Sequence, residues 1–141
     1  MTGIGTEIKG TENIPVEMMI ENPAAARRMD QILDVKDFTS IGTNDLIQYI
    51  NVADREKIAV SHYYQVGIEL ALRVIEDILS AANKEGKKCI LCGEIAGNTE
   101  YTKELIAMGL KNFSALPPLI PTVKDKVFEI NCGNHITEKG R

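Results

Sequence analysis

Four apolar runs, each followed by a polar turn and then a helix-like pattern, constrain the fold of this chain more than any other feature of its sequence. The runs are PVEMMI (15–20), DFTSIG (37–42), KKCIL (87–91) and NFSAL (112–116). Short apolar runs that alternate with helical patterns are typical of parallel strands joined by crossover helices. The sequence therefore predicts an α/β fold, and four consecutive βα units correspond to half of a (β/α)8 barrel of the TIM type.

The helical segments between these runs have recognisable first and last residues. Asn22 is a suitable N-cap and Pro23 suits the first helical position, while Gly86 and Gly109 stand where helices would stop. The lysines at 87–88 are interpreted as a solvated start of the third strand. The predicted helices span residues 22–34, 46–55, about 68–84 and 98–109, and a proline-rich loop is predicted before a final helix or strand.

Length and composition are those of an ordinary globular protein. The chain has 141 residues, of which 44% are hydrophobic and 26% charged, and this is enough for one domain with a buried core. We interpret residues 1–141 as a single partial domain with a core over about 15–130 and a tail over 131–141. The formal charge of -4 and the aromatic content of only 5% disfavour nucleic acid as a partner.

The sequence has no sign of membrane insertion or secretion. No apolar stretch approaches the roughly 20 residues that cross a bilayer, and the first residues lack the positively charged start of a signal peptide. We therefore expect a cytoplasmic location.

The cysteines do not suggest a disulfide framework or a zinc site. Cys89, Cys92 and Cys132 are odd in number and form no dense framework, which disfavours a disulfide scaffold. Cys89 and Cys92 match a C-x-x-C pattern, but they lie within an apolar run. His62 and His135 are distant in the sequence and are interpreted as surface residues. The two cysteines therefore lack the further ligands that a zinc site needs.

Polar residues follow three of the predicted strands. In barrels and open α/β sheets, functional residues lie just beyond the C-terminal ends of the strands. These positions hold Glu21, Asn44 with Asp45, and Cys92 with Glu94. Glu21 is either a metal ligand or base, or a solvated acid favoured by the dipole of the next helix. Asn44 and Asp45 can be explained as helix caps, although one cap does not need both. Glu94 has no assignable role.

Some of these residues have the chemistry of a metal and phosphate site. Glu21 and Asp45 are one βα unit apart, and two carboxylates are the usual protein contribution to a Mg²⁺ site that water and substrate phosphate complete. Arg55 either binds a phosphate through its planar guanidinium or complements the dipole at a helix end. Cys92 is either a small buried apolar residue or a proton donor or nucleophile at the rim of a pocket.

Four sequence blocks, in their order and spacing, resemble one known family. The blocks are MIENPAA (19–25), FTSIGTNDLIQY (38–49), VADR (52–55) and CGEIAG (92–97). They resemble the C-terminal barrel of the enzymes that use phosphoenolpyruvate (PEP), and they are most similar to enzyme I of the bacterial sugar phosphotransferase system. The resemblance covers about residues 15–125.

The resemblance implies a role for each candidate residue. Glu21 and Asp45 would hold Mg²⁺, which bridges to the carboxylate and phosphate of PEP. Asn44 and Arg55 would contact the phosphate, and Cys92 would protonate the methylene carbon of enolpyruvate as pyruvate forms. Since the family's phosphoryl acceptor is a histidine on a separate domain, the resemblance also implies a histidine-bearing phosphocarrier domain or protein as a partner.

The resemblance also implies that the chain needs a partner to complete its fold. The family's barrel has four earlier strands with further substrate-binding arginines. The resemblance therefore implies that this chain is the C-terminal half of a (β/α)8 barrel, and we expect this segment to be inactive alone. A half barrel exposes two sheet edges and an apolar face, and we therefore expect association with the missing half or with a second copy as a homodimer. Two alternatives stay open: a non-catalytic metabolite-binding or dimerisation module, and a piece of a pyruvate phosphate dikinase or PEP synthase.

Overall fold

The computed structural model describes residues 14–51 and 61–138, with side chains described over 14–51 and 66–131. The strands are β1 (Glu17–Ile20), β2 (Phe38–Gly42), β3 (Lys88–Cys92) and β4 (Asn112–Ser114). The helices are α1 (Pro23–Ala26), α2 (Met29–Val35), α3 (Thr43–Asn51), α4 (Ser61–Lys84), α5 (Glu94–Gly97), α6 (Thr99–Ala107) and α7 (Ile120–Glu138), and a 3-10 turn over Pro117–Leu119 precedes α7. None of the helices in the described part of the chain is long and apolar enough to span a membrane.

The four strands form one parallel sheet in the order β1-β2-β3-β4. Every strand is followed by helix before the next strand begins, so the predicted α/β class and the four βα units are confirmed. Because all strands run in the same direction, the residues that follow them meet at one edge of the sheet.

One face of the sheet carries the hydrophobic core. Ile20, Ile41 and Leu91 are neighbours in the strand register and are fully buried. They belong to a single apolar cluster with residues from the helices, including Leu33, Leu46, Ile75, Ile78, Leu79, Ile95 and Leu105. Side chains alternate between the two faces of a strand, so the residues between these core positions point to the other side.

The other face of the sheet, called the open face below, carries Glu17, Met19, Phe38, Ser40, Gly42, Lys88, Ile90, Cys92, Asn112 and Ser114. It forms one wall of a groove of about 880 Å³, and residues of α7 form the opposite wall. Met19 on this face is 45% exposed although it is apolar. The sheet is therefore covered well on one side and poorly on the other.

Local capping chemistry sets several helix ends as predicted. The Asn22 side chain accepts a hydrogen bond of 2.9 Å from the backbone N–H of Ala25, and Pro23 is the first residue of α1. Gly86 (φ 65°) and Gly109 (φ 91°) follow α4 and α6 in the left-handed conformation that glycine tolerates best.

Other helix bounds differ from the prediction. The helix predicted over 22–34 is broken into α1 and α2, because Arg28 (φ -116°, ψ 27°) leaves helical geometry. The four-residue α5 was not predicted, and its shortness leaves almost no periodic signal. The long helix α4 begins at Ser61 rather than near 68, and part of the helix predicted over 46–55 lies outside the described residues.

The C-terminal element and Lys87 can also be compared with the prediction. The final element, predicted as a helix or a strand, is the helix α7, which continues to Glu138. No proline follows Pro121 to interrupt its hydrogen-bond ladder. The division into a core and a tail over 131–141 stays a prediction. Lys87 is half-buried rather than solvated, and its ammonium group donates hydrogen bonds to the carbonyl oxygens of Leu33 and Lys36 (2.6 Å for Lys36) at the C-terminal end of α2.

Candidate functional site

The structure brings four of the five predicted site residues to one edge of the sheet. Glu21 directly follows β1, Asn44 and Asp45 lie in the first turn of α3 after β2, and Cys92 is the last residue of β3. The fifth predicted residue, Arg55, lies outside the described residues. The strand-end rule therefore places the acidic, amide and thiol groups at the same end of the sheet.

The Glu21 side chain lies over the end of the neighbouring strand. A Cβ atom added to Gly42 would be 2.8 Å from Cγ and 3.0 Å from Oε1 of Glu21. Gly42 thus leaves the space that the Glu21 carboxylate occupies, and the carboxylate is placed on the open face. Gly42 is also the register partner of Cys92 on β3, so Glu21 and Cys92 flank this glycine from its two sides.

The thiol of Cys92 is on the open face and is half-buried. It lines the 880 Å³ groove along the sheet and also a groove of about 540 Å³ at the strand ends. Cys89 lies three positions earlier and faces the core, where it is buried and burial raises the pKa of its thiol. The two cysteines are free and point to opposite faces, so the C-x-x-C pattern forms neither a disulfide nor a zinc site.

The amide of Asn44 has a defined orientation. Its Oδ1 accepts a hydrogen bond of 3.0 Å from the backbone N–H of Glu94, the first residue of α5. The Nδ2 end of the amide is therefore the hydrogen-bond donor that is turned away from Glu94. Asp45 is exposed in the first turn of α3, where the helix dipole favours a negative charge.

The carboxylates of Glu21, Asp45 and Glu94 follow the strands at this edge. Among the described residues, no group of three or more His, Cys, Asp or Glu side chains is placed to hold a metal ion. A site of the kind that structural zinc needs is thus not formed by the described residues. Glu21 and Asp45 provide two carboxylates, which is the smaller contribution that Mg²⁺ accepts when water and phosphate oxygens fill the remaining positions.

Sequence reasoning missed a contact between the start of α3 and the end of β3. The hydroxyl of Thr43 is fully buried and donates a hydrogen bond of 2.8 Å to the backbone carbonyl oxygen of Cys92. Gly93 follows with φ 99°, and a Cβ atom there would be 2.3 Å from Thr43 Oγ1 and 2.9 Å from Asn44 Oδ1. The only sequence signal for this contact was the glycine after Cys92, since the partners are 49 residues apart.

The groove at the strand ends combines polar and apolar walls. Asn44 and Cys92 lie on one side, and Leu116, Pro117 and Leu119 lie on the other. Its volume of about 540 Å³ is that of a small-molecule site. The arrangement can bring a hydrogen-bond donor, a thiol and an apolar wall to the same small ligand.

Comparison with known proteins identifies the family. A family model described as "PEP-utilising enzyme, PEP-binding domain" matches residues 4–132. The chain belongs to this family. This confirms the resemblance that the four sequence blocks indicated, and it assigns the open-faced sheet and its C-terminal edge to a PEP-binding domain.

Relatives of this PEP-binding domain include phosphoenolpyruvate-protein phosphotransferases of three bacteria. The identity is 47% over 104 residues for Streptococcus equinus, 48% over 103 for Lactococcus lactis subsp. cremoris and 44% over 110 for Listeria monocytogenes. These alignments cover 74%, 73% and 78% of this chain but 18%, 18% and 19% of the relatives. The chain therefore spans less than a fifth of the length of these relatives.

Proposed function

We propose that this chain is the PEP-binding segment of an enzyme I-like PEP-protein phosphotransferase of a sugar phosphotransferase system. In this proposal the phosphoryl group of PEP passes to a histidine on another domain, and pyruvate is released. The observation that carries the proposal is the placement of Glu21, Asn44 and Cys92 at one edge of the sheet in a chain of the PEP-binding family, with Asn44 and Cys92 lining the strand-end groove. A carboxylate, an amide donor and a thiol match the metal-binding, phosphate-binding and proton-donating tasks of this reaction.

Glu21 and Asp45 are the proposed Mg²⁺ ligands. The space above Gly42, which any larger residue would fill, is occupied by the Glu21 carboxylate, and Asp45 lies at the start of the next helix along the same edge. Two hard oxygen donors fit Mg²⁺, which usually keeps several waters and takes its remaining ligands from substrate phosphates. When bound, the metal neutralises the charge of the PEP carboxylate and phosphate.

Asn44 and Arg55 are the proposed phosphate contacts. Because the Asn44 Oδ1 is engaged by the Glu94 N–H, its Nδ2 is the end that can donate to a phosphate oxygen. Arg55 lies outside the described residues, and its proposed role rests on the VADR block alone. These donors position the phosphoryl group for in-line transfer, in which catalysis depends on position and charge more than on covalent chemistry.

Cys92 is the proposed proton donor. As the phosphoryl group leaves, the ester O–P bond breaks, a P–N bond forms at the acceptor histidine, and the electron pair stays on the enolate oxygen. The enolate then becomes pyruvate when its methylene carbon takes the proton from the Cys92 thiol, which is left as a thiolate. The thiol lies at the end of β3 beside the groove, as a general acid for this step must.

We further propose that other strands complete the sheet into a (β/α)8 barrel. β1 and β4 are edge strands, and unpaired strand edges and an exposed apolar face both favour association. On the open face the Ser40 hydroxyl is buried and has no hydrogen-bond partner among the described residues. Strands of a missing half barrel, or a second copy in a homodimer, would supply partners here.

We also propose a cytoplasmic location. The free cysteines agree with a reducing compartment such as the cytoplasm.

The main alternative is a module that binds a metabolite, or dimerises, without catalysis; the exposed Met19 side chain on the open face favours it. A chimera separates the two. The matched 104-residue segment of the Streptococcus equinus phosphotransferase is replaced by the corresponding segment of this chain, and pyruvate formation from PEP and Mg²⁺ is measured. Turnover that Asp45→Ala abolishes would support the catalytic proposal. A folded chimera that binds PEP without forming pyruvate would favour the module.

A further inference from the structure

The described residues contain a cross-link between two strand-to-helix junctions that the proposed chemistry does not use directly. Thr43 and Asn44 begin α3 directly after β2, and Cys92, Gly93 and Glu94 join β3 to α5. These two junctions are called the two loops below. Thr43 donates to the Cys92 carbonyl oxygen at 2.8 Å, and Asn44 accepts from the Glu94 N–H at 3.0 Å. The two hydrogen bonds lie on either side of Gly93 and run in opposite directions, so each loop provides one donor and one acceptor.

Gly93 makes this double contact possible. Its φ of 99° is a conformation that L side chains rarely adopt, and its missing side chain leaves room for the Thr43 hydroxyl and the Asn44 amide. The Thr43 side chain is fully buried, so its hydrogen bond is protected from competing water and its loss would leave the Cys92 carbonyl without this donor.

We propose that Thr43 is a positioning residue that fixes the Cys92 thiol relative to Asn44. The hydrogen bond holds the carbonyl of Cys92 and thereby the backbone from which the thiol projects. This inference rests on the proposed function. The distance between the Cys92 thiol and the Asn44 amide matters only if Asn44 binds the phosphate and Cys92 protonates the other end of the same substrate. A shift of about 1 Å between such groups is enough to slow a reaction about a hundredfold.

The first test measures how fast the thiols of this chain are alkylated in the absence of PEP. In a chain with Cys132→Ser, alkylation of Cys92 and Cys89 by iodoacetamide is followed by mass spectrometry. Thr43→Val removes the hydroxyl and keeps the shape, so Cys92 should react about fivefold faster, the factor that corresponds to one lost hydrogen bond. Cys89 faces the core on the same strand, and its rate should not change. Thr43→Ser should restore the original Cys92 rate. Equal changes at both cysteines, or none, would overturn the inference.

A second measurement needs no substitution and guards against a Thr43→Val chain that does not fold. Glu94 is the first residue of α5 and has an exposed side chain, and the first N–H groups of a helix have no partner within the helix. The hydrogen bond of the Glu94 N–H to Asn44 should nevertheless make its hydrogen exchange as slow as that of amides within β3. Exchange at the rate of an unprotected amide would contradict the proposed cross-link.

A third measurement connects the cross-link to catalysis. In the active chimera, Thr43→Val should lower the rate of pyruvate formation at least tenfold more than it weakens PEP binding. If Thr43 had only a structural role, the substitution would lower pyruvate formation and PEP binding equally, in proportion to the folded fraction. If the unsubstituted chimera neither binds nor uses PEP, the proposed function fails, and the thiol and exchange measurements still decide whether Thr43 positions Cys92.

Discussion

The side chain of Glu21 occupies the space that a methyl group on Gly42 would need. A Cβ atom at Gly42 would lie 2.8 Å from Glu21 Cγ, 3.0 Å from Glu21 Oε1 and 3.3 Å from the sulfur of Met19. Since Gly42 ends β2 beside Cys92, the absence of a side chain at this one position sets how close the proposed metal ligand and the proposed proton donor can be.

The first prediction is that Gly42→Ala displaces Glu21 and weakens Mg²⁺-dependent PEP binding. We expect the dissociation constant for PEP, measured by titration calorimetry in the chimera, to rise about tenfold, equal to 1.4 kcal/mol. Crowding of a packed site should also lower the free energy of unfolding by about 1–3 kcal/mol.

Gly86→Ala is the matched control for this loss of stability. Gly86 has φ 65° and no heavy atom within 4 Å of an added Cβ, so alanine there costs about 1–2 kcal/mol through the backbone alone. PEP binding should be unaffected in this variant. If Gly42→Ala left the PEP affinity unchanged, the carboxylate above Gly42 would not be a metal ligand.

The second prediction concerns Gly93, where both backbone conformation and space exclude a side chain. Gly93→Ala should lower the free energy of unfolding by about 3 kcal/mol or more, because it combines an unfavourable φ with a contact to the Thr43 hydroxyl. Urea denaturation measures this loss. Gly109→Ala is the control: its φ is also positive (91°), but its nearest neighbour is the end of the Asn83 side chain, which can move. A smaller loss at Gly93 than at Gly109 would contradict the tight packing between the two loops.

The sequence predicted best those features that depend on neighbouring residues. The start of α1 follows from the Asn22 cap next to Pro23, and the ends of α4 and α6 follow from Gly86 and Gly109. Each is set by hydrogen bonds or φ angles within a few residues, so the residue types alone carry the information. The placement of Glu21, Asn44, Asp45 and Cys92 at one edge of the sheet was equally predictable, because it depends only on the strands being parallel.

Features that depend on distant residues were not predictable in this way. Lys87 was interpreted as solvated because its hydrogen-bond partners, Leu33 and Lys36, are more than 50 residues away. The contact of Thr43 with Cys92 spans 49 residues. A sequence indicates that such residues can donate or accept hydrogen bonds, but the fold alone determines which partners they meet.

The third prediction tests the corrected role of Lys87. Lys87→Met removes a charged donor from two carbonyl oxygens at the end of α2, and it should lower the free energy of unfolding by about 2 kcal/mol. Lys88→Met is the control, since Lys88 is the next residue and its side chain is exposed; substitution there should change stability by less than about 0.5 kcal/mol. If Lys87→Met and Lys88→Met lowered the free energy of unfolding equally in urea denaturation, the hydrogen bonds of Lys87 would not contribute to stability.

The fourth prediction is a loss of stability at alkaline pH that depends on Cys89. Burial raises the pKa of the Cys89 thiol in the folded chain, so the folded state retains a proton that the unfolded state releases. The stabilising contribution is therefore complete below about pH 8.5, the ordinary thiol pKa, and is lost as the pH rises towards the higher folded-state pKa. The slope is at most about 1.4 kcal/mol per pH unit. Cys89→Ala should remove this part of the decline, as measured by urea denaturation between pH 7 and 10. An identical decline in the variant would rule out Cys89 as its cause.

The fifth prediction separates binding from proton transfer at β3. Cys92→Ala in the active chimera should leave PEP affinity within about twofold, because the thiol acts after the phosphoryl group leaves, but it should lower pyruvate formation by about a hundredfold or more, the usual contribution of a general acid. Cys89→Ala is the matched control: Cys89 is on the same strand and faces the core instead of the groove, so turnover should fall only with the folded fraction. Stopped-flow detection of pyruvate, compared with calorimetric PEP binding, measures the two steps. Pyruvate formation at the original rate in Cys92→Ala would assign the proton to another donor at this edge.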